Sequence, residues 1–175
     1  METGLIHIYT GEGKGKTTAA VGLAVRALSH GLKVCYVNFN KGGGEYVNTE
    51  VDTLEKLGAK VIVATDQHPA FNADISVEAN SKQSLNALSY INELVHSNNF
   101  DMLILDEILI SVRDCFIEEE VLTSFMEQKP KGLELVLTGR DATDNVIMLS
   151  DYVSEIVKNK HPYDSGVFSR EGIEY

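Results

Sequence analysis

One stretch constrains the fold more than any other: Thr10-Gly11-Glu12-Gly13-Lys14-Gly15-Lys16-Thr17-Thr18. Glycine at 11, 13 and 15 lets the backbone curl so that successive N–H groups can face an anion, and a Lys-Thr pair follows where a helix can begin. Residues 5–9 before it are branched or aromatic and read as a strand. From Lys16 onward Val21, Ala24, Val25 and Leu28 recur at helical spacing, and Gly31 supplies a stop. A glycine-rich turn alone could be a tight connection and nothing more. Lys16 as a movable cation, the Thr17 hydroxyl as a ligand for phosphate-bound magnesium and the field of the helix N-terminus turn the reading towards a nucleoside triphosphate. A nicotinamide-binding turn needs no lysine beside its phosphates. Thr10 stands where the usual eight-residue pattern has its first glycine.

The remaining chain repeats the alternation. Strands are expected at 33–39, 61–64, 102–105, 134–137 and 152–157, with helices at 49–57, 81–95, 118–126 and 143–149. Residues 40–45 contain Gly42, Gly43 and Gly44 and read as a loop that another group can approach closely. Residues 66–78, interrupted by Pro69 and several polar side chains, have no clean period and are the candidate lid. Continuous apolar strand interiors imply helices on both faces of a mostly parallel sheet. The expectation is an α/β three-layer fold of the P-loop nucleotide-binding kind, with residues 1–175 forming a single domain.

Fifteen Lys and Arg against 26 Asp and Glu give a formal net charge of −11, which opposes binding of nucleic acid while leaving room for a small basic pocket. Cys35 and Cys115 form no CxxC pair, so neither a disulfide framework nor a thiolate metal site is expected. No signal-peptide pattern and no membrane-length apolar run is evident, and a cytoplasmic location is the expectation. His7, His30, His68, His96 and His161 show no HExxH or compact His/Cys arrangement; His68 and His161 stand out because they fall in irregular segments.

Two further strand ends carry chemistry. Leu103-Ile104-Leu105-Asp106-Glu107 delivers two carboxylates to the edge where parallel sheets hold ligands, and either can reach magnesium directly or through water. On a continuing strand the two acids would point to opposite faces. Thr138-Gly139-Arg140 offers a hydroxyl, a flexible glycine and a cation that would meet triphosphate or substrate, or else form a structural ion pair. Spacing does not choose the reaction. Attack on the terminal phosphorus, as in an ATPase or small-molecule kinase with Glu107 orienting the nucleophile, uses the same apparatus as attack at a ribose carbon with a polyphosphate leaving group.

The full order of motifs resembles the P-loop ATP:corrinoid adenosyltransferases. It runs from Ile8 through Ala20, on through Gly22-Leu23-Ala24, Arg26-Ala27, Phe39-Asn40-Lys41-Gly42 and Glu45, to Leu105-Asp106-Glu107 and Thr138-Gly139-Arg140. It closes with Lys160-His161-Pro162-Tyr163-Asp164-Ser165-Gly166 and Gly172-Ile173-Glu174-Tyr175. The resemblance implies a RecA-like homodimer that moves the 5'-deoxyadenosyl group of magnesium ATP (or manganese ATP) to a reduced cobalt corrinoid of the cobalamin, cobinamide or cobyrinate type, releasing triphosphate. A flavoprotein is the implied reductant. It further implies that Thr10, Gly11, Glu12, Gly13, Lys14, Gly15, Lys16, Thr17, Thr18, Lys41 and Arg140 contact the nucleotide. Thr17, Asp106 and Glu107 would organise the metal, and Lys16, Thr17 and Glu107 would carry catalysis.

Two departures from the family are visible. Glu12 stands where relatives often have Asn or Asp, and its charge is expected to point away from phosphate. At 66–71 relatives resemble Gly-Phe-Thr-Trp and place aromatics over the corrinoid, whereas this chain has no Trp and reads Asp-Gln-His-Pro-Ala-Phe. There His68 would face the corrinoid and Phe71 restore apolar cover, or the segment is an unrelated turn. A non-catalytic ATP-dependent regulator is the alternative that this departure leaves open.

Overall fold

The computed structural model describes residues 2–41, 49–97 and 100–174; the glycines at 42–44, Glu45 and Tyr175 lie outside the described residues. Strands β1 (Ile6–Thr10), β2 (Val34–Asn38), β3 (Lys60–Val63), β4 (Met102–Asp106), β5 (Glu134–Thr138) and β6 (Tyr152–Glu155) form one sheet in the order β3-β2-β4-β5-β1-β6. Every neighbouring pair is parallel, so the sheet is parallel throughout. β2 and β4 are buried at each of their five positions, as central strands covered on both faces must be. β6, by contrast, is an edge strand exposed along its whole length.

Helices α1 (Lys16–Ser29) and α2 (Thr49–Lys56) cover one face, where Ala20, Ala24, Ala27, Tyr36, Leu54, Ile104 and Val136 pack together. Helices α3 (Val77–Ser97), α4 (Ile108–Arg113), α5 (Glu119–Gln128) and α6 (Asp144–Met148) cover the other, with Leu88, Ile91, Leu103, Leu105, Leu122, Phe125 and Val146 among the core residues. The expected three-layer architecture is therefore present.

Local detail departs from the expectation in several places. The buried stripe of α1 is Lys16, Ala20, Ala24 and Ala27 rather than the larger Val21, Val25 and Leu28, because small side chains let the helix lie close against the sheet; Val25 is 40% exposed. α3 begins at Val77, inside the span expected to be irregular, with Ser76 Oγ accepting from the Ala79 N–H at 3.1 Å. β3 runs one residue earlier than expected. Finally, β4 stops at Asp106 because Glu107 takes a left-handed backbone (φ 64°) and starts α4, so the two acids do not alternate along a strand.

Candidate active site

The carboxyl ends of β1, β2, β4 and β5 converge on Asp106. Its carboxylate is fully buried and accepts hydrogen bonds from Thr138 Oγ1 (2.6 Å), Lys41 Nζ (2.8 Å) and Thr17 Oγ1 (3.3 Å). Burial alone would raise its pKa, but the Lys41 ammonium and the hydrogen bonds from Lys41, Thr138 and Tyr36 hold it below the usual carboxylate range. Burial and the same carboxylate push the Tyr36 hydroxyl far upward, so it stays a neutral donor.

Lys41 Nζ also lies 3.0 Å from Thr17 Oγ1 and 3.8 Å from Glu107 Oε1. One ammonium thus sits among the three side-chain oxygens that the family resemblance implies for magnesium. Burial disfavours the Lys41 charge, yet Asp106 and Glu107 outweigh it and raise its pKa. Glu107 moves the other way from Asp106: burial and the neighbouring Asp106 charge raise its pKa although Lys41 opposes them.

This donor set fits a small divalent cation. The oxygens of Thr17, Asp106 and Glu107 are hard ligands, and a cationic group already stands between them. Among the described residues no group of three or more His, Cys, Asp and Glu makes an all-protein cage, so magnesium or manganese here would rely on phosphate oxygens and water for the rest of its shell.

In the phosphate loop the Lys16 ammonium is 8% exposed for the residue as a whole and donates to the carbonyls of Gly11 (2.6 Å) and Gly13 (2.8 Å). Burial, then Arg140, lowers its pKa. Gly11 and Gly15 take φ of 98° and 129°, values that exclude ordinary side chains. The Gly13 N–H donates to Ile156 O at 2.6 Å, so among the successive loop amides expected to face polyphosphate this one is engaged by the chain leaving β6. A Cβ at Gly11 or Gly13 would stand 2.7 Å from that same carbonyl. These two glycines therefore also serve the close approach of the chain leaving β6.

The structure places the other nominated residues as follows. Thr10 ends β1, is nearly buried, and accepts the Ile156 N–H on its carbonyl at 2.8 Å. The Glu12 carboxylate pairs with the Arg140 guanidinium, so the arginine expected to meet nucleotide is held by the one loop residue that departs from the family. Lys14 Nζ turns to Glu174 Oε1 at 3.1 Å. Thr18 lines the cavity described next. Gly139, expected as a flexible point, takes φ 146° and lies where a Cβ would meet Leu109 Cβ at 2.6 Å, a tight contact with α4.

A cavity of about 1090 Å³ opens beside Thr17, Thr18 and Lys41 and extends to Phe71, Tyr163, Phe168 and Ile173. His68 does not line it. Its Nε2 lies 2.7 Å from Asp114 Oδ2, its Nδ1 accepts the Ala70 N–H at 3.0 Å, and its ring packs on Phe116. Together with the His68 N–H to Asn40 O bond and the Lys41–Gln67 bridge, these contacts tie the 66–72 turn to the frame. Of the two readings of this segment, these contacts favour a structural turn for His68, whereas Phe71 lines the cavity with a side chain that is 84% exposed.

Sequence reasoning missed Phe168 and Glu174 as cavity residues and gave Asn40 no role. Asn40 has φ 59°, donates from Nδ2 to Ser111 Oγ at 2.9 Å, and so pins the turn that delivers Lys41. The only sequence signal for Glu174 was its place in the closing motif, and for Asn40 its place in the segment 39–42; Phe168 falls between the two parts of the closing motif.

Comparison with known proteins adds the chemistry that spacing left open. A family model described as ATP:corrinoid adenosyltransferase BtuR/CobO/CobP matches residues 2–175. A corrinoid adenosyltransferase of Escherichia coli strain K12 is 34% identical over 99% of this chain and 87% of its own length. A corrinoid adenosyltransferase CobA of Salmonella typhimurium strain LT2 shows the same identity and coverage. In fold, the chain is similar to the KaiC-like protein PH0186 of Pyrococcus horikoshii OT3, with a TM-score of 0.59 and 21% identity over 91% of this chain and 75% of that one.

Proposed function

Given that the chain belongs to the ATP:corrinoid adenosyltransferase family, we propose how its own residues divide the work of that reaction. The protein is an ATP-dependent corrinoid adenosyltransferase. The reduced corrinoid is the nucleophile at ribose C5' of ATP, the C5'–O bond breaks, and its electron pair leaves with triphosphate. No side chain needs to act as nucleophile or base.

Charge on the leaving triphosphate is then what the protein must stabilise, and donors placed in advance are the efficient means. Lys16 leaves its two loop carbonyls to meet the phosphates, and the loop amides still free to turn inward join it. Thr17, Asp106 and Glu107 would hold magnesium or manganese, which supplies Lewis-acid neutralisation of the phosphate oxygens. Lys41, beside the same three oxygens, would turn its ammonium to the nucleotide. Arg140 follows if it exchanges Glu12 for phosphate. Phe71 and the apolar residues across the cavity exclude water from the cobalt side.

The observation that carries this reading is the Lys41 ammonium held among Thr17, Asp106 and Glu107 beside a cavity that Phe71, Tyr163, Phe168 and Ile173 also line. Homodimeric assembly and a flavoprotein electron donor complete the reading on the strength of the family resemblance. The test is an anaerobic assay with ATP, magnesium, a strong reductant and several corrinoids. Triphosphate formed in step with adenosylcorrinoid supports the assignment; orthophosphate and ADP without adenosylation sink it, and nucleotide binding without either product makes the protein a regulator.

A further inference from the structure

Residues 157–174 carry almost no burial, and their regular structure is limited to a 3₁₀ turn at Pro162–Ser165. Nevertheless they form a wall. Tyr163, Phe168, Ser169 and Glu174 line both the large cavity and a second one of about 310 Å³, so the segment borders both. With no core behind it, its position depends on polar ties.

Glu174 ties the segment to the phosphate loop through Lys14 and closes the turn on itself through Arg170. Its Oε2 accepts from the Arg170 backbone N–H (2.9 Å) and Nε (3.0 Å), and its Oε1 accepts from Arg170 Nη2 (2.9 Å) and Lys14 Nζ (3.1 Å). Single exposed ion pairs contribute little, but a two-pronged arginine–carboxylate pair with a second cation fixes geometry as well as charge. The Arg170 hydrogen bonds chiefly pull the Glu174 carboxyl down to about 2, so the carboxylate is charged throughout the neutral range. Between Arg170 and Tyr163 on this closed turn stands Phe168, 75% exposed, meeting the Tyr163 ring edge-on at 6.4 Å. Large exposed aromatics on a cavity wall mark a surface awaiting an apolar face.

We propose that Glu174 is a positioning residue for the corrinoid: by gripping Arg170 and the phosphate-loop Lys14 together, it holds Phe168 in the wall of the cavity that Phe71 also lines, where the two rings cover the macrocycle. This rests on the corrinoid being the acceptor. It assigns the apolar cover to two separate segments, one of them outside the 66–71 turn where the family resemblance implies it.

The full-length protein is compared with Glu174→Gln, Glu174→Asp, Phe168→Ala and the Glu174→Gln/Phe168→Ala double variant. Three quantities are read: MgATP affinity by calorimetry, corrinoid binding by absorbance with MgATP present, and steady-state transfer. Glu174→Gln is expected to raise the corrinoid KM and weaken corrinoid binding about tenfold, while kcat and MgATP affinity stay within about twofold. Glu174→Asp recovers part of the loss, and the double variant is no worse than Phe168→Ala because both act through one wall. An unmoved corrinoid KM, a parallel loss of MgATP affinity, or additive losses would each overturn the assignment. If wild-type protein bound corrinoid but transferred nothing, the proposed function would fall, and the binding measurement would still judge Glu174 separately.

Discussion

The two ends of the large cavity are built in opposite ways. At the phosphate end, Asp106 is fully buried and Thr17, Lys41 and Thr138 surround it with hydrogen bonds from different strands and loops. At the apolar end, Phe71 and Phe168 are more than 70% exposed and their segments are fastened by side-chain ties at His68 and Glu174. The difference separates two tasks. Charge stabilisation needs donors fixed before the substrate arrives, whereas covering a broad apolar face needs only surfaces held at the right distance.

Lys16→Ala breaks the contrast most severely. It should lower transfer by about 10³-fold, comparable to removing a preorganised donor at developing charge, and leave corrinoid binding measured by absorbance nearly unchanged. If corrinoid binding fell equally, the two ends would not be separable.

Lys41→Met probes the same end through stability. It leaves the buried Asp106 charge without its ammonium, and should destabilise the nucleotide-free protein by about 3 kcal/mol in denaturant unfolding. Added magnesium should return part of that loss, since a ligand that binds only the folded state stabilises it. A Met variant as stable as wild type would remove Lys41 from its role as the charge partner.

Acidity gives a milder test. Because burial and Asp106 raise the Glu107 pKa, Glu107 takes up a proton at a pH above the ordinary carboxylate range as the solution is acidified. Manganese binding, followed by the loss of the free-ion paramagnetic signal, should therefore weaken over that interval in wild type and lose this dependence in Glu107→Gln. Asp106, with its lowered pKa, contributes stability that is present at neutral pH and is lost only as the pH falls through that depressed value.

Phe71→Ala should have the smallest effect, about a threefold rise in corrinoid KM with MgATP affinity untouched. A larger effect on nucleotide than on corrinoid would reverse the assignment of the two ends.

Much of the phosphate end was legible in the sequence because its signals are local: the glycine spacing with Lys16 and Thr17, and the acids after an apolar strand. The position of Lys41 was not, since it depends on a turn pinned by Asn40, Thr65 and Ser111 from three parts of the chain. The α1 face was misread because large residues dominate a periodicity reading while alanines pack closest. α4 is too short, at six residues, to show a period. The apolar end was least legible because exposed residues in irregular segments follow no repeat, and their meaning comes from what stands across the gap.

The bond from the Gly13 amide to Ile156, with no room for a methyl at 11 or 13, has a consequence for descent. A chain of this architecture that ceased to handle ATP would still be unable to replace those two glycines freely, because the exposed edge strand leans on them. Intact glycines in a distant cousin would then testify to its shape, and only Lys16, Thr17 and the acids at 106 and 107 would testify to its trade.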